Sequence, residues 1–392
     1  MVSFTQMERR ASLGLASVFS LRMFGLFVIL PVIALYANNM PGGESATLIG
    51  LAVGVYGLTQ AIFQIPLGRL SDFWGRKRTI YLGLVIFIIG SFLAAIADSL
   101  LWLCLGRAIQ GAGAVSSAVI ALNADLTRDE VRTKSMAIIG VTIGLTFILS
   151  IVLGPVLDSI VGLPGIFLIT ALLTIVAIGI VCFYVPDPES FDGKEDAKPV
   201  KLKVIMMNHD LLRLDFGIFS LHGILTAIFV SIPFVLNGME GDVVAWKFYL
   251  LVMLSSILIM PPLMMVSEKF GYRKSVFVLS VALIVSSQLS LGLFDLGYAG
   301  LAAALIVFFG AFNMLEASLP SWVSRIAEPN SKGTALGVYS TSQYLGTFIG
   351  GVSGGWVYQQ YSAQGVFIFC AVWAMAWLLV AINISDTKRV SA

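Results

Sequence analysis

Residues 68 to 78 read Gly68-Arg69-Leu70-Ser71-Asp72-Phe73-Trp74-Gly75-Arg76-Lys77-Arg78, between apolar runs at 46–68 and 78–97. Crossing a hydrocarbon core of about 30 Å takes about 20 apolar residues at a helical rise of about 1.5 Å, and each flanking run meets that length. A Gly-bounded, cationic turn with one carboxylate cannot lie in lipid. It marks a short loop on one side of a membrane, and an excess of Lys and Arg places that side in the cytoplasm.

The rest of the chain has the same character. Of 392 residues, 58% are hydrophobic and 12% charged, against about 25% charged in an average soluble domain. That leaves too little polar surface to coat a soluble core. The chain reads as an all-α integral membrane protein, because lipid satisfies no backbone group and a helix satisfies its own. A net charge of +2 carries no signal for nucleic acid. Cys104, Cys182 and Cys370 all lie in apolar runs, and there are two His, so neither a disulfide framework nor a metal site is expected. Arg9 and Arg10 precede an apolar stretch reaching Tyr36, too long for the core of a cleaved signal peptide and read as a first span.

Twelve apolar runs are expected to be transmembrane helices: 12–36, 46–68, 78–97, 100–124, 134–157, 163–185, 211–237, 244–266, 275–294, 297–326, 332–357 and 363–384. The loops alternate in charge. One set holds Arg9/Arg10, Arg76/Lys77/Arg78, Arg128/Arg132/Lys134, Lys194/Lys198/Lys201/Lys203, Lys269/Arg273/Lys274, Arg325/Lys332 and Lys388/Arg389. The other holds Glu44, Asp98, Asp158, Glu240, Asp242 and Asp295, with Lys247 its only cation. Both termini are therefore expected in the cytoplasm. The longest polar stretch divides the chain into a six-helix bundle at 1–185, a cytoplasmic linker at 186–210 and a second six-helix bundle at 211–392.

The halves repeat. Phe19-Ser20-Leu21-Arg22 returns as Phe219-Ser220-Leu221-His222, and Pro66, Ser71, Asp72, Gly75, Lys77 and Arg78 return as Pro262, Ser267, Glu268, Gly271, Arg273 and Lys274. An even number of spans per half makes the repeat parallel, the architecture of secondary transporters with a site near the midplane. In the second copy of the loop, Met264, Glu268 and Tyr272 stand where the first has Gly68, Asp72 and Arg76. That asymmetry reads as a switch in the first copy and an anchor in the second.

Several stretches resemble the major facilitator superfamily, and within it the twelve-helix drug:proton antiporter branch. They are the loop at 68–78, Phe19 to Met23, Tyr56 to Pro66, Gly106 to Gly111, Asp125 to Arg128, Leu153 to Pro155 and Gly337 to Gly346. The most similar member known to us carries a small soluble domain after its twelfth helix; this chain stops at Ala392 without one, as a truncated or shorter relative would. In the fifth span Ser150 stands where the branch usually has Gly, and Val156-Leu157 follow Gly154-Pro155. The resemblance implies a conformational latch built from Gly68, Asp72, Gly75, Arg76 and Lys77. Asp125 would hold Arg76, and Asp72 would face the start of the eleventh helix near Lys332-Gly333. It also ties Arg107 to proton movement or to the backbone of helix 1. The bland alternative is a loop that only sets topology.

The residues themselves suggest the chemistry. Arg22 lies about 15 Å into the first span and His222 about as deep in the seventh, with Glu316 near the middle of the tenth. A charge at that depth costs at least about 2.5–3.5 kcal/mol, so such side chains face protein or a wet cavity. Glu316, His222, Arg22 and Arg107 are the proton-coupling candidates, Glu316 foremost, with a hydrogen-bonded structural anchor as the alternative. Arg22 would hold Glu316 ionised were the two adjacent. Tyr56, Gln60 and Gln64 share one helical face, as do Asn313 with Glu316 and Tyr339 with Gln343. They read as the polar wall of a Phe- and Met-rich cavity for a small amphipathic substrate, a cationic one being favoured by the carboxylate. Gly154-Pro155 reads as a hinge. Gly346, Gly350, Gly351, Gly354 and Gly355 read as a small-residue face sliding against the second and fifth spans.

There is no Gly-rich phosphate loop ending in Gly-Lys-Ser/Thr and no nucleophile set. An ATP-driven pump and an intramembrane enzyme are therefore set aside. The expected function is a proton-coupled transporter exporting drugs or other small molecules by proton antiport, through alternating access. It would be multi-pass in a bacterial inner membrane and monomeric, with lipid, protons and substrate as its partners, no cofactor, and a proton gradient as its drive. The alternatives are an uncoupled or proton-symporting facilitator for a nutrient, and a non-transporting sensor with the same fold.

Overall fold

The computed structural model describes residues 3–187, 207–239, 244–328 and 331–385. Among the described residues the chain is helical, with turns and no strand. It divides into two compact units, Met1–Asp196 and Ala197–Ala392. Most of the expected linker, with Lys194, Lys198, Lys201 and Lys203, lies outside the described residues, as do Glu240, Asp242, Lys388 and Arg389.

The first unit holds α1 (Gln6–Phe27), α2 (Ile33–Asn38), α3 (Ala46–Trp74), α4 (Arg76–Ala95), α5 (Leu100–Ala112), α6 (Ser116–Asp125) and α7 (Asp129–Phe183). The second holds α8 (His209–Asn237), α9 (Ala245–Ile257), α10 (Met260–Glu268), α11 (Arg273–Leu293), α12 (Gly297–Ile326) and α13 (Lys332–Ile382). Among the described residues nine helices are long and apolar enough to cross a membrane.

The boundaries correct the sequence reading in four places. The cationic segment at 68–78 is shorter as a loop than the sequence suggested. Helix α3 runs on through Trp74, and a single residue, Gly75, with φ at 104°, turns the chain into α4. That φ is one a side chain rarely tolerates. The first expected span, 12–36, breaks at Val28–Val32 around Pro31, a residue that lacks the helical N–H and whose ring clashes with the carbonyl four residues back. The span at 100–124 breaks between Ala112 and Ser116, and that at 244–266 breaks just before Pro261-Pro262.

Two helices are longer than any bilayer. Helix α7 has 55 residues, about 80 Å if straight, and α13 has 51. Each folds back at one residue: Gly162 (φ 66°, ψ 174°) in α7 and Ser362 (φ 57°, ψ −166°) in α13. These turns fall in the gaps expected before 163 and 363, and at repeat-equivalent positions.

Glycines set the closest approaches, again in repeat-equivalent pairs. A side-chain carbon at Gly154 of α7 would collide with the Val28 carbonyl and the Pro31 ring, so the break in the first span docks on the glycine of the expected hinge. In the second unit Gly346, Gly350 and Gly354 of α13 meet Phe219, Gly223 and Ala227 of α8. The small-residue face therefore receives the seventh span, a contact within its own unit.

Candidate functional site

In the first unit a polar network surrounds Arg22, which is 1% exposed. Its guanidinium donates to Ser116 Oγ at 3.1 Å, to the Tyr56 hydroxyl at 2.8 Å and to Gln60 Oε1. Gln60 Nε2 donates onward to Gln64 Oε1 at 3.0 Å. The face Tyr56-Gln60-Gln64 is thus buried and spent on holding a cation, where the sequence suggested a cavity wall. Ser116 had no signal of its own in the sequence; the break before α6 sets it at the start of that helix, facing Arg22. No carboxylate pairs with Arg22 among its bonds, so neutral dipoles carry the charge.

Arg107 is fully buried and lies 4.9 Å from the Tyr56 ring centroid, a cation–π distance. It donates to Gln110 Oε1 at 2.7 Å, and Gln110 donates to Ser91 Oγ at 2.8 Å. Its backbone acceptor is the Ala52 carbonyl of α3 at 3.4 Å, so the anchoring backbone belongs to the second span and not to helix 1. Tyr56 therefore carries one guanidinium at its hydroxyl and another over its ring.

In the second unit His222, Glu316 and Gln343 meet. His222 Nε2 is 3.1 Å from Glu316 Oε2 and 2.8 Å from Gln343 Nε2, which is itself 3.4 Å from Glu316 Oε1. His222 is buried, while the Glu316 side chain is 36% exposed. One ring nitrogen thus faces two groups. If Nε2 carries hydrogen it donates to the Glu316 carboxylate, and the Gln343 amide must present its oxygen. If Nε2 is bare it accepts from Gln343, and Glu316 meets it without repulsion only as a carboxylic acid. The trio thus sets an imidazole, a carboxyl and an amide within hydrogen-bond distance of one another. Phe312 packs on His222 at 5.7 Å between centroids, and Asn313 donates to Ser256 Oγ at 3.4 Å. Tyr339, one turn before Gln343, is buried with its hydroxyl unpartnered.

At the loop, Arg76 donates to Asp125 Oδ2 at 3.0 Å, to Ser71 Oγ at 2.7 Å and to Asp72. Ser71 and Asp125 are brought together with Arg76, while the Asp72 side chain stays 53% exposed. Gly68 lies against Ser117 of α6. Lys77 reaches the start of the linker, donating to the Val185 carbonyl at 2.8 Å and pairing with Asp187 at 2.7 Å. The second copy also carries an ion cluster. There Glu268 accepts from Arg273 at 2.8 Å and 3.1 Å, with Arg325 at 3.6 Å. The first copy is one cation between two carboxylates and the second is one carboxylate between two cations, with Arg325 at the repeat position of Asp125. The Arg273 guanidinium holds Glu268 below the usual carboxylate range.

A further cluster escaped the sequence reading. Glu8, 4% exposed, closes a capping box with Thr5 at the start of α1. Its carboxylate also accepts from Arg128 at Nε (2.7 Å), at the second guanidinium nitrogen (2.9 Å) and at the backbone N–H (3.1 Å). Arg128 holds the Glu8 carboxyl far below the usual range, against its burial. The partners are far apart in sequence, and only the Thr-x-x-Glu capping signature was there to be found.

The model of the Major Facilitator Superfamily matches residues 15–260 and 214–391. The chain is 43% identical over 388 residues to the inner membrane transport protein YajR of Escherichia coli, covering 98% of this chain and 85% of the relative. It is 25% identical over 380 residues to the quinolone resistance protein NorA of Staphylococcus aureus, covering 92% of each. A bacterial homologue of the human lysosomal transporter Spinster, solved inward-facing and occupied, superposes with a TM-score of 0.76 at 15% identity over 97% of each chain.

Proposed function

The chain belongs to the major facilitator superfamily, a family of multi-pass membrane transporters and not enzymes, and we propose that it works as a proton-coupled secondary transporter that exports small amphipathic molecules by proton antiport. The observation that carries this is the His222–Glu316–Gln343 trio, a buried imidazole 3.1 Å from a carboxyl, two groups able to exchange a proton. The likeness to a relative named for quinolone resistance supports export. The likeness to an inner membrane protein supports residence in a bacterial inner membrane.

Counting each bent helix as two arms and adding α1 supports twelve spans, and the loop charges support cytoplasmic termini. On this reading the two six-helix bundles rock to alternate access, powered by the proton gradient, with no cofactor and one chain per transporter. The Arg76–Asp125–Asp72 cluster is a latch that holds one of the two conformations. A carboxyl that gains and loses a proton gives a cationic substrate and a proton one shared partner, which is the simplest basis of antiport.

The test is transport into vesicles under an imposed pH gradient. Glu316→Gln is expected to abolish gradient-driven movement while the purified protein keeps its folded, monodisperse state. Retention of gradient-driven transport in that variant would overturn the coupling role. Proton movement in the same direction as the substrate would replace antiport with symport.

A further inference from the structure

The stretch at 69–78 carries four cations, and only two of them are spent on the protein. Arg76 donates to Asp125, Ser71 and Asp72, and Lys77 reaches Val185 and Asp187. Arg69 and Arg78 are exposed, and among the described residues neither has a hydrogen bond or an ion pair. The helices that carry them enclose an open groove of about 460 Å³, lined by Leu70, Phe73 and Trp74 of α3 and Leu82 of α4. Phe73 is 90% exposed, the most of any large apolar side chain described, and Trp74 is 45% exposed.

Depth decides what fills the groove. Helix α3 has 29 residues, about 43 Å at helical rise, which matches a bilayer of about 40–45 Å with its headgroups included. A hydrocarbon core of about 30 Å leaves roughly the last turn of the helix in the headgroup layer. Arg69 comes five residues before the end at Trp74, about 7–8 Å from it, so at the boundary between headgroups and acyl chains. Arg78 is the third residue of α4 and lies in the headgroup layer. Arg69 and Phe73 are spaced i, i+4, as are Arg78 and Leu82, so each cation flanks a groove residue one turn away. An exposed guanidinium at the boundary is costly unless an anion meets it. No acid lines the groove, and the nearest in sequence, Asp72, accepts from Arg76. In the second copy of the loop Met265 stands at the repeat position of Arg69. The boundary cation therefore belongs to the first copy alone.

We propose that the α3–α4 groove is a binding site for an anionic phospholipid. An acyl chain lies against Leu70, Phe73, Trp74 and Leu82, and the headgroup is drawn to Arg69 on one wall and Arg78 on the other. The occupant is anionic and not zwitterionic because the groove offers two guanidinium charges and no carboxylate for an ammonium. The site lies apart from the coupling trio and does not depend on the proton-coupled reading.

Tryptophan quenching by brominated lipid tests the site in the full chain. The protein is reconstituted in phosphatidylcholine vesicles with a minor fraction of brominated lipid, either phosphatidylglycerol or phosphatidylcholine. The share of the signal due to Trp74 is the part lost in Trp74→Phe. A cation near the membrane surface favours an anionic lipid about fivefold, so two give an expected preference for phosphatidylglycerol at Trp74 of about 30-fold. Arg69→Gln or Arg78→Gln alone lowers that preference about fivefold, and the two together remove it. Lys274→Gln, which takes one cation from the second copy of the loop, leaves it unchanged. Equal quenching of Trp74 by the two lipids overturns the site, as does a preference that survives the double substitution. A preference that falls as far in Lys274→Gln is a general attraction of basic loops for anionic lipid and overturns the site too. If the double variant does not fold, the single variants decide, each altering one exposed and unbonded side chain; a wild-type preference in both overturns the site.

Discussion

Replacing Glu8 by Gln removes one charge from the most heavily bonded carboxylate described in the chain and leaves its shape intact. Glu8 accepts from the Thr5 N–H at 2.7 Å and from three nitrogens of Arg128 at 2.7, 2.9 and 3.1 Å. The amide of Gln keeps one acceptor and sets a donor against the guanidinium. Hydrogen bonds to a charged group contribute about 1.5–3 kcal/mol each, and bonds sharing one carboxylate do not add. Glu8 is 4% exposed and the Arg128 side chain 49% exposed, so water replaces the loss on the arginine's side only. The substitution is expected to cost about 2–3 kcal/mol at neutral pH.

The pH dependence has a definite sign. Arg128 depresses the folded-state pKa of Glu8, with its burial opposing, while the unfolded value is about 4.3. The contribution is therefore fully present above about pH 4.3 and is lost as pH falls toward the depressed folded value, because only the unfolded state takes up the proton in that window. Denaturant unfolding in detergent at pH 7 and again below pH 4 measures it. The gap between wild type and Glu8→Gln should be about 2–3 kcal/mol at pH 7 and should shrink on acidification. No gap at pH 7, or one that does not change with pH, would refute the assignment.

The two fold-back residues make a paired prediction. Ser362 has φ 57° and ψ −166°, a region nearly reserved for glycine, where a side chain costs about 1–3 kcal/mol. Ser362→Gly should stabilise by about 0.5–2 kcal/mol after the entropy of the added glycine, and Gly162→Ala should destabilise by about 1–3 kcal/mol. Thermal unfolding in detergent would show both, and a neutral Gly162→Ala would contradict the strain at that turn. At the proposed latch, Arg76, Asp125 and Asp72 are partly exposed, so Asp125→Asn or Asp72→Asn should remove about 0.2–1 kcal/mol. That shifts the conformational balance roughly 1.5- to 5-fold, read as altered labelling of cysteines introduced on the cytoplasmic side. Wild-type labelling and transport in both variants would reduce the loop to a topology marker.

Much of the architecture was legible because it is written in local properties. Hydropathy, span length and the alternation of loop charge are each read within about 20 residues, and they placed the fold-backs near Gly162 and Ser362. The helix breaks around Pro31 and before Pro261 were missed because a hydropathy run does not register a lost backbone hydrogen bond. Glu316, His222 and Gln343 were each singled out by residue type at depth, yet their meeting was not readable, since 121 positions separate His222 from Gln343.

By itself, then, the sequence determined that this is a helical membrane protein of two related halves with a cationic loop in each, because solvent selects for those features residue by residue. Only the tertiary structure decided how buried charge is satisfied. It gave Arg22 to Ser116, Tyr56 and Gln60, gave Glu8 to Arg128, and left the Tyr339 hydroxyl without a partner. It also showed that the second cationic loop keeps its cluster with the charges inverted. The reason is physical: in a low-dielectric interior a charge takes whatever donors or acceptors packing brings within about 3 Å, and packing joins residues that have no relation along the chain.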